Sequence, residues 1–189
     1  MKKIIIAFIL VLSLIVALPS CNFGNQQSNP DFDLLNDLAN KEYTSYDVSI
    51  VIENLDSTIT ENYSVTIEGG VKTVEYKIER YSTFEILPDE TVSVPSDYIT
   101  TEEGTLTTEE EGHYDLPKFN FSYDSLKNEV IIGNNFKATI VSLSSFIGSY
   151  MDVTDAKVTA EYTQSTLRNI VITFVTEAGQ SVTVQYTFN

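Results

Sequence analysis

One cysteine, one histidine and no tryptophan occur in 189 residues, and each scarcity removes a class of chemistry. A lone thiol closes no intrachain disulfide, so the fold is not a stapled one. Cys21 and His113 together are too few for a Cys/His zinc cluster, and any serine triad would depend on His113 alone. The chain has no glycine-rich phosphate loop and no nucleophile elbow. Carboxylates for glycoside hydrolysis are plentiful, but they lie on stretches without regular periodicity, and the missing tryptophan takes away the usual sugar-stacking platform. His113, in Gly112-His113-Tyr114-Asp115, therefore reads as a solvent-facing loop residue. We expect no enzyme, no resident cofactor and no metal ligand set. Cations are scarce as well: 11 Lys and Arg stand against 27 Asp and Glu, a formal charge of −16. Such a charge repels nucleic acid and anionic lipid headgroups alike.

Only one long apolar run is present, Ile4 to Leu18, with Lys2 and Lys3 before it and Leu18-Pro19-Ser20-Cys21 at its end. Its fifteen residues fall short of the ~20 that a spanning helix needs, and the charged start with a small residue before the cut marks a secretory signal. With Leu18 three before the cysteine and Ser20 immediately before it, the segment resembles the signal peptide of bacterial lipoproteins. Pro19 departs from the small residue usual in that family. The resemblance implies cleavage before Cys21, acylation of the Cys21 thiol, and a domain tethered to the extracytoplasmic face of a bacterial membrane. An ordinary secretory signal with an incidental cysteine, or an uncleaved anchor, is the competing reading.

Two acyl chains hold where one does not, because each buried methylene contributes ~0.8 kcal/mol and a single chain binds only marginally. Residues 21–30, the lipidated cysteine and a polar stretch ending at Pro30, read as a tether reaching on the order of 15 to 18 Å. Removing residues 1–20 leaves 169, enough for one domain that buries roughly 70% of its unfolded surface. The mature chain, 21–189, carries nine Lys and Arg against 27 acidic side chains, all of them in the single domain 31–189.

Hydrophobic periodicity lays out its elements. Asp31 to about Lys41 reads as a helix with Leu34, Leu35, Leu38 and Ala39 on one stripe and Asp31 as its cap. From Tyr46 the period changes to two: Tyr46, Val48, Ile50 and Ile52 alternate with polar residues, and after a turn at Asn54–Ser57 so do Ile59, Tyr63, Val65 and Ile67. Gly69-Gly70 predicts a two-residue hairpin that sets Val65 against Val74 and Tyr63 against Tyr76. Glu177-Ala178-Gly179 predicts a three-residue loop that sets Phe174 against Val182, Ile172 against Val184 and Ile170 against Tyr186. Ala156, Val158, Ala160 and Tyr162 supply a neighbouring strand. Phe136 to Val141 reads as a further strand and Ser142 to Ser149 as a short helix or connector. Leu167, Val171 and Val175 fall on the face opposite Ile170, Ile172 and Phe174, which implies cover on both faces.

The segment 85–117 breaks the pattern. It carries Glu85, Asp89, Glu90, Asp97, Glu102, Glu103, Glu109, Glu110, Glu111 and Asp115 with no Lys or Arg, and Pro88, Pro95 and Pro117 interrupt it. We read it as a solvated, mobile excursion, with a small hairpin at Glu103-Gly104 between Tyr98-Ile99 and Leu106. A calcium site or a dock for a cationic partner is the sharper reading, although no EF-hand spacing is present.

The expected fold is α+β, a curved antiparallel sheet of about seven to nine strands with an N-terminal helix packed on it. This order of elements across 31–189 resembles the half-barrel lipoproteins related to LolA and LppX, which implies a concave apolar face suited to an acyl chain. The expected function is a lipid-anchored, non-catalytic binding module holding an apolar ligand. Its alternative is a self-filled interaction lipoprotein that binds a cationic protein or calcium through the acidic segment. Neither uses nucleic acid as a partner.

Overall fold

A computed structural model describes residues 30–82, 85–86, 92–93, 98–110 and 112–189. Cys21 and all of the expected tether except Pro30 lie outside the described residues, as do Pro88 and Pro95. The elements in chain order are α1 (Pro30–Ala39), β1 (Ser45–Glu53), β2 (Ser57–Glu68), β3 (Val71–Ser82), β4 (Glu85–Ile86), β5 (Val92–Ser93) and β6 (Tyr98–Thr108). They continue with β7 (Leu126–Ile132), β8 (Asn135–Ile140), α2 (Leu143–Ile147), β9 (Val153–Tyr162), β10 (Leu167–Thr176) and β11 (Ser181–Phe188). Nine strands form one curved, open antiparallel sheet in the order β6-β3-β2-β1-β11-β10-β9-β8-β7. β4 and β5 pair separately. The fold is the α+β half-barrel-like arrangement expected.

Two turns set the register on either side of β1 and β11. Gly69 and Gly70 take φ of 59° and 86°, a backbone region open to glycine and costly for residues with a Cβ. The hairpin they close pairs Val65 with Val74 and Tyr63 with Tyr76. At the C-terminal end Gly179 sits at φ 79°, and Phe174, Ile172 and Ile170 face Val182, Val184 and Tyr186. β1 pairs with β11, Tyr46 to Phe188 and Ile52 to Val182, which joins the N-terminal and C-terminal meanders into one surface.

Three expectations about individual elements are corrected and one strand is added. The helix stops at Ala39 rather than Lys41 and begins at Pro30, because a proline at the first helical position loses no bond and has φ already suited. Asp31 therefore lies within the first turn, where its carboxylate accepts the Tyr162 hydroxyl at 3.4 Å. The Glu103-Gly104 hairpin does not form. β6 runs through it, with Glu103 opposite Lys77 and Gly104 opposite Tyr76, because pairing eleven residues along β3 outweighs the weak local preference of one Glu-Gly step. Leu167 lies on the core face and is 3% exposed, since a register shift between Leu167 and Asn169 rotates the strand by one residue. The added strand is β7, ahead of the expected β8. Gly133, with φ 59°, and Asn134 turn it into β8, setting Ile132 against Asn135. Glycine at the first turn position is the signal that predicts such a hairpin.

The core lies on the concave face. Val48, Tyr46, Val65, Val74, Val158, Ile170 and Ile172 line it from the strands, and Leu35, Leu38, Phe119, Phe121 and Phe146 close it from above. The outer face is largely threonine, serine and charged residues, so the sheet is solvated on that side and not covered twice over.

Candidate functional site

What fills the hollow of the sheet decides what it can hold. Phe119 and Phe121 stand on an irregular stretch after Pro117, each 1% exposed, and sequence periodicity could not place them. Their position comes from α1. The Asn36 side chain donates to the Phe121 carbonyl at 2.8 Å and accepts the Phe121 N–H at 2.8 Å. Four residues on, Asn40 does the same with Phe119, at 2.9 and 3.0 Å. Asparagines at i and i+4 share one helix face, and residues 119 and 121 share one face of an extended chain. The two asparagines thus act as a hydrogen-bonding edge for this extended stretch, turning both phenyl rings down into the sheet.

Those rings meet others edge-on. Phe121 packs against Phe136 and Phe146 with centroids 5.6 and 5.3 Å apart, and Phe119 against Tyr186 at 5.5 Å. Edge-to-face pairs of this kind add about 0.5–1.5 kcal/mol each beyond area burial. Ser125, fully buried, donates to the Ser145 carbonyl at 2.8 Å and accepts from Asn120 at 2.9 Å, which ties α2 to the same stretch. Burial pushes the Tyr186 hydroxyl up to about 12. The half of the hollow under α1, α2 and residues 119–125 is thus occupied by the protein's own side chains. Farther along β1 and β11, Ile50, Ile52 and Val184 are only partly buried.

The acidic segment is not a uniform excursion. Its residues 98–108 are β6, and residues 112–117 cross the sheet beside β1, β2 and β3. Lys72 on β3 donates to both Asp115 carboxylate oxygens at 2.8 Å, and Asp115 also accepts the Gly112 N–H at 2.8 Å. The Lys72 ammonium lies 5.8 Å from the centroid of the Tyr114 ring. This partly buried pair pins the segment, and Tyr46 below it feels the result: burial first, then the Asp115 carboxylate, raises its hydroxyl to about 12.

His113 sits at the next step. Its Nε2 is 2.6 Å from the Tyr63 hydroxyl, which donates to Glu61 at 2.9 Å. A phenol has one proton, so with that proton on Glu61 the imidazole Nε2 must carry hydrogen and donate to the Tyr63 oxygen. The ring is then a donor that holds loop to strand. Burial and the bond to Glu61 push the Tyr63 hydroxyl well above its ordinary range. His113 is exposed at its outer edge, 63% of its side chain, yet tethered at its inner one. Among the described residues, no group of three or more His, Cys, Asp or Glu side chains is arranged to hold a metal ion, and no helix is long and apolar enough to cross a membrane.

These features define a class: an α+β domain whose open antiparallel sheet is packed on one face by a helix and an aromatic strap. The chain matches no protein-family profile and no curated protein sequence.

Proposed function

We propose that this chain is a lipid-anchored, extracytoplasmic, non-catalytic binding module that fills its hollow with its own side chains and binds through its exterior. The observation that carries the reading is the aromatic filling: Phe119 and Phe121 of the strap and Phe146 of α2, 1%, 1% and 0% exposed, occupy the concave position where an acyl chain would otherwise lie. The anchor rests on Cys21 and the lipoprotein-like signal before it. The non-catalytic assignment is supported by the roles of His113 and Tyr63, which are spent on each other and on Glu61.

A second reading, carriage of a short apolar ligand, is favoured by the partly buried row Ile50, Ile52 and Val184. Two measurements test these. Replacing Cys21 with Ser should move the chain from the detergent phase to the aqueous one; retention in detergent would return the uncleaved-anchor reading. Native mass spectrometry of the Cys21→Ser chain should give the protein mass alone, whereas a stoichiometric lipid adduct would restore the carrier.

A further inference from the structure

The two edges of the sheet are built differently. β7 at one edge is seven residues long, its register with β8 breaks between Lys127 and Val130, and Asn128 inside the break takes φ 55°. Bulges, short length and a lysine are the devices by which an edge is closed to further pairing. β6 at the other edge shows none of these three among the described residues, where β3 is its one strand partner. Its eleven residues pair with β3 without interruption, from Tyr98 opposite Ser82 to Thr108 opposite Lys72, and it contains neither proline nor lysine. Its sequence, Tyr-Ile-Thr-Thr-Glu-Glu-Gly-Thr-Leu-Thr-Thr, is rich in the residue types that suit a pleated surface. Ile99 is 60% exposed and Leu106 43%, so apolar side chains await a neighbour on both faces of the strand. Alternate main-chain N–H and C=O groups of an edge strand point away from its one partner and are free to template another.

Charge decides what kind of neighbour fits. On β3, β6 and the turn after β6, Glu75, Glu79, Glu102, Glu103, Glu109 and Glu110 outnumber Lys77 and Arg80; Lys77 already pairs with Glu79 at 2.9 Å and Arg80 with Glu102 at 3.7 Å. Lys72, the remaining cation of β3, is held by Asp115. A second copy of this chain is a poor partner, because antiparallel pairing centred on Glu103 sets that carboxylate against its own counterpart, and like charges directly opposed destabilise a strand pair. We propose that β6 is an open edge that takes up an extended, lysine- or arginine-bearing polypeptide segment as a tenth strand. Main-chain hydrogen bonds supply the affinity in this mode and side-chain pairing the specificity: cations lie opposite Glu102 and Glu103, with β-branched or aromatic residues beside Ile99 and Leu106. The edge lies outside the hollow, so this inference stands or falls apart from whether an apolar ligand is carried.

Hydrogen exchange of the full Cys21→Ser chain, followed across residues 98–108, tests it. The probe is a synthetic peptide as long as β6, alternating valine and threonine with two central lysines. Controls are the same peptide with glutamates for lysines, and the lysine peptide with alternate backbone nitrogens methylated. At saturation the lysine peptide slows the outward amides of β6 at least about tenfold, while neither control does. The double variant Glu102→Lys, Glu103→Lys reverses the preference, favouring the glutamate peptide. Four results would overturn the proposal: amides of β6 already fully protected without peptide, no slowing by the lysine peptide, equal slowing by the methylated one, or protection that rises with protein concentration alone.

Discussion

Removing the Asn36 amide is the sharpest probe of how the hollow is filled. Asn36→Ala deletes two hydrogen bonds of 2.8 Å each and leaves the Phe121 N–H and carbonyl without partners. An orphaned, partly buried polar group costs about 1–3 kcal/mol, so the pair together should cost about 2–6 kcal/mol. Asn40→Ala deletes the equivalent bonds to Phe119, at 2.9 and 3.0 Å, but Asn40 is exposed and water can replace its amide, so its loss should stay near 1 kcal/mol. Both residues hold the same strap, so the double variant should cost less than the sum of the singles. With no tryptophan in the chain, the assay is urea unfolding followed by tyrosine near-ultraviolet and far-ultraviolet circular dichroism. The expected result is a lower midpoint with an unchanged slope. A loss under about 0.5 kcal/mol for Asn36→Ala, within the range of ordinary surface substitutions, or a larger loss at Asn40, would refute the strap's dependence on these side chains.

Three further outcomes follow from the same geometry. Phe121→Ala should cost about 3–5 kcal/mol, since a ring 1% exposed and walled by Phe136 and Phe146 leaves a cavity the rigid sheet cannot close; calorimetry checks this, and a loss below about 1 kcal/mol would mean the hollow collapses freely. Tyr46 and Tyr186 have hydroxyls raised from 10.0 to about 12, so folding favours their neutral forms. Their contribution is complete below pH 10 and is lost as pH rises toward 12, at up to about 1.4 kcal/mol per pH unit for each; denaturant midpoints that stay level across that window would contradict it. Gly69→Val and Gly70→Val should each lower stability by about 1–2 kcal/mol through forced positive φ, since a Cβ built at either position meets nothing within 4 Å; stability equal to the parent chain for both variants in a urea titration would exclude the tight turn.

Much of the sheet was legible in the chain itself, because alternation fixes which side chains share a face and glycine fixes where a chain can reverse. The Gly69-Gly70 register and the pairing of Phe174 with Val182 needed only these two constraints. The same constraints misread Leu167, where one extra residue in the strand turns the side chain over, and they misread Glu103-Gly104, where a dipeptide suited to turning was drawn straight by the strand beside it. Periodicity also had nothing to say about Phe119 and Phe121, which sit on chain without a repeat.

For the site, the sequence by itself determined the charge, a domain whose carboxylates outnumber its cations threefold, and supplied the lipoprotein-like start leading to Cys21 on which the proposed anchor rests. These are local or additive properties, readable without knowing what touches what. Only the tertiary structure decided that Asn36 and Asn40 carry the aromatic strap, that Lys72 holds Asp115, and that β6 rather than β7 is the undefended edge. Each of those depends on residues far apart in the chain meeting at hydrogen-bond distance or lying at the margin of the sheet, and strand order is set by the sum of all pairings rather than by any one segment.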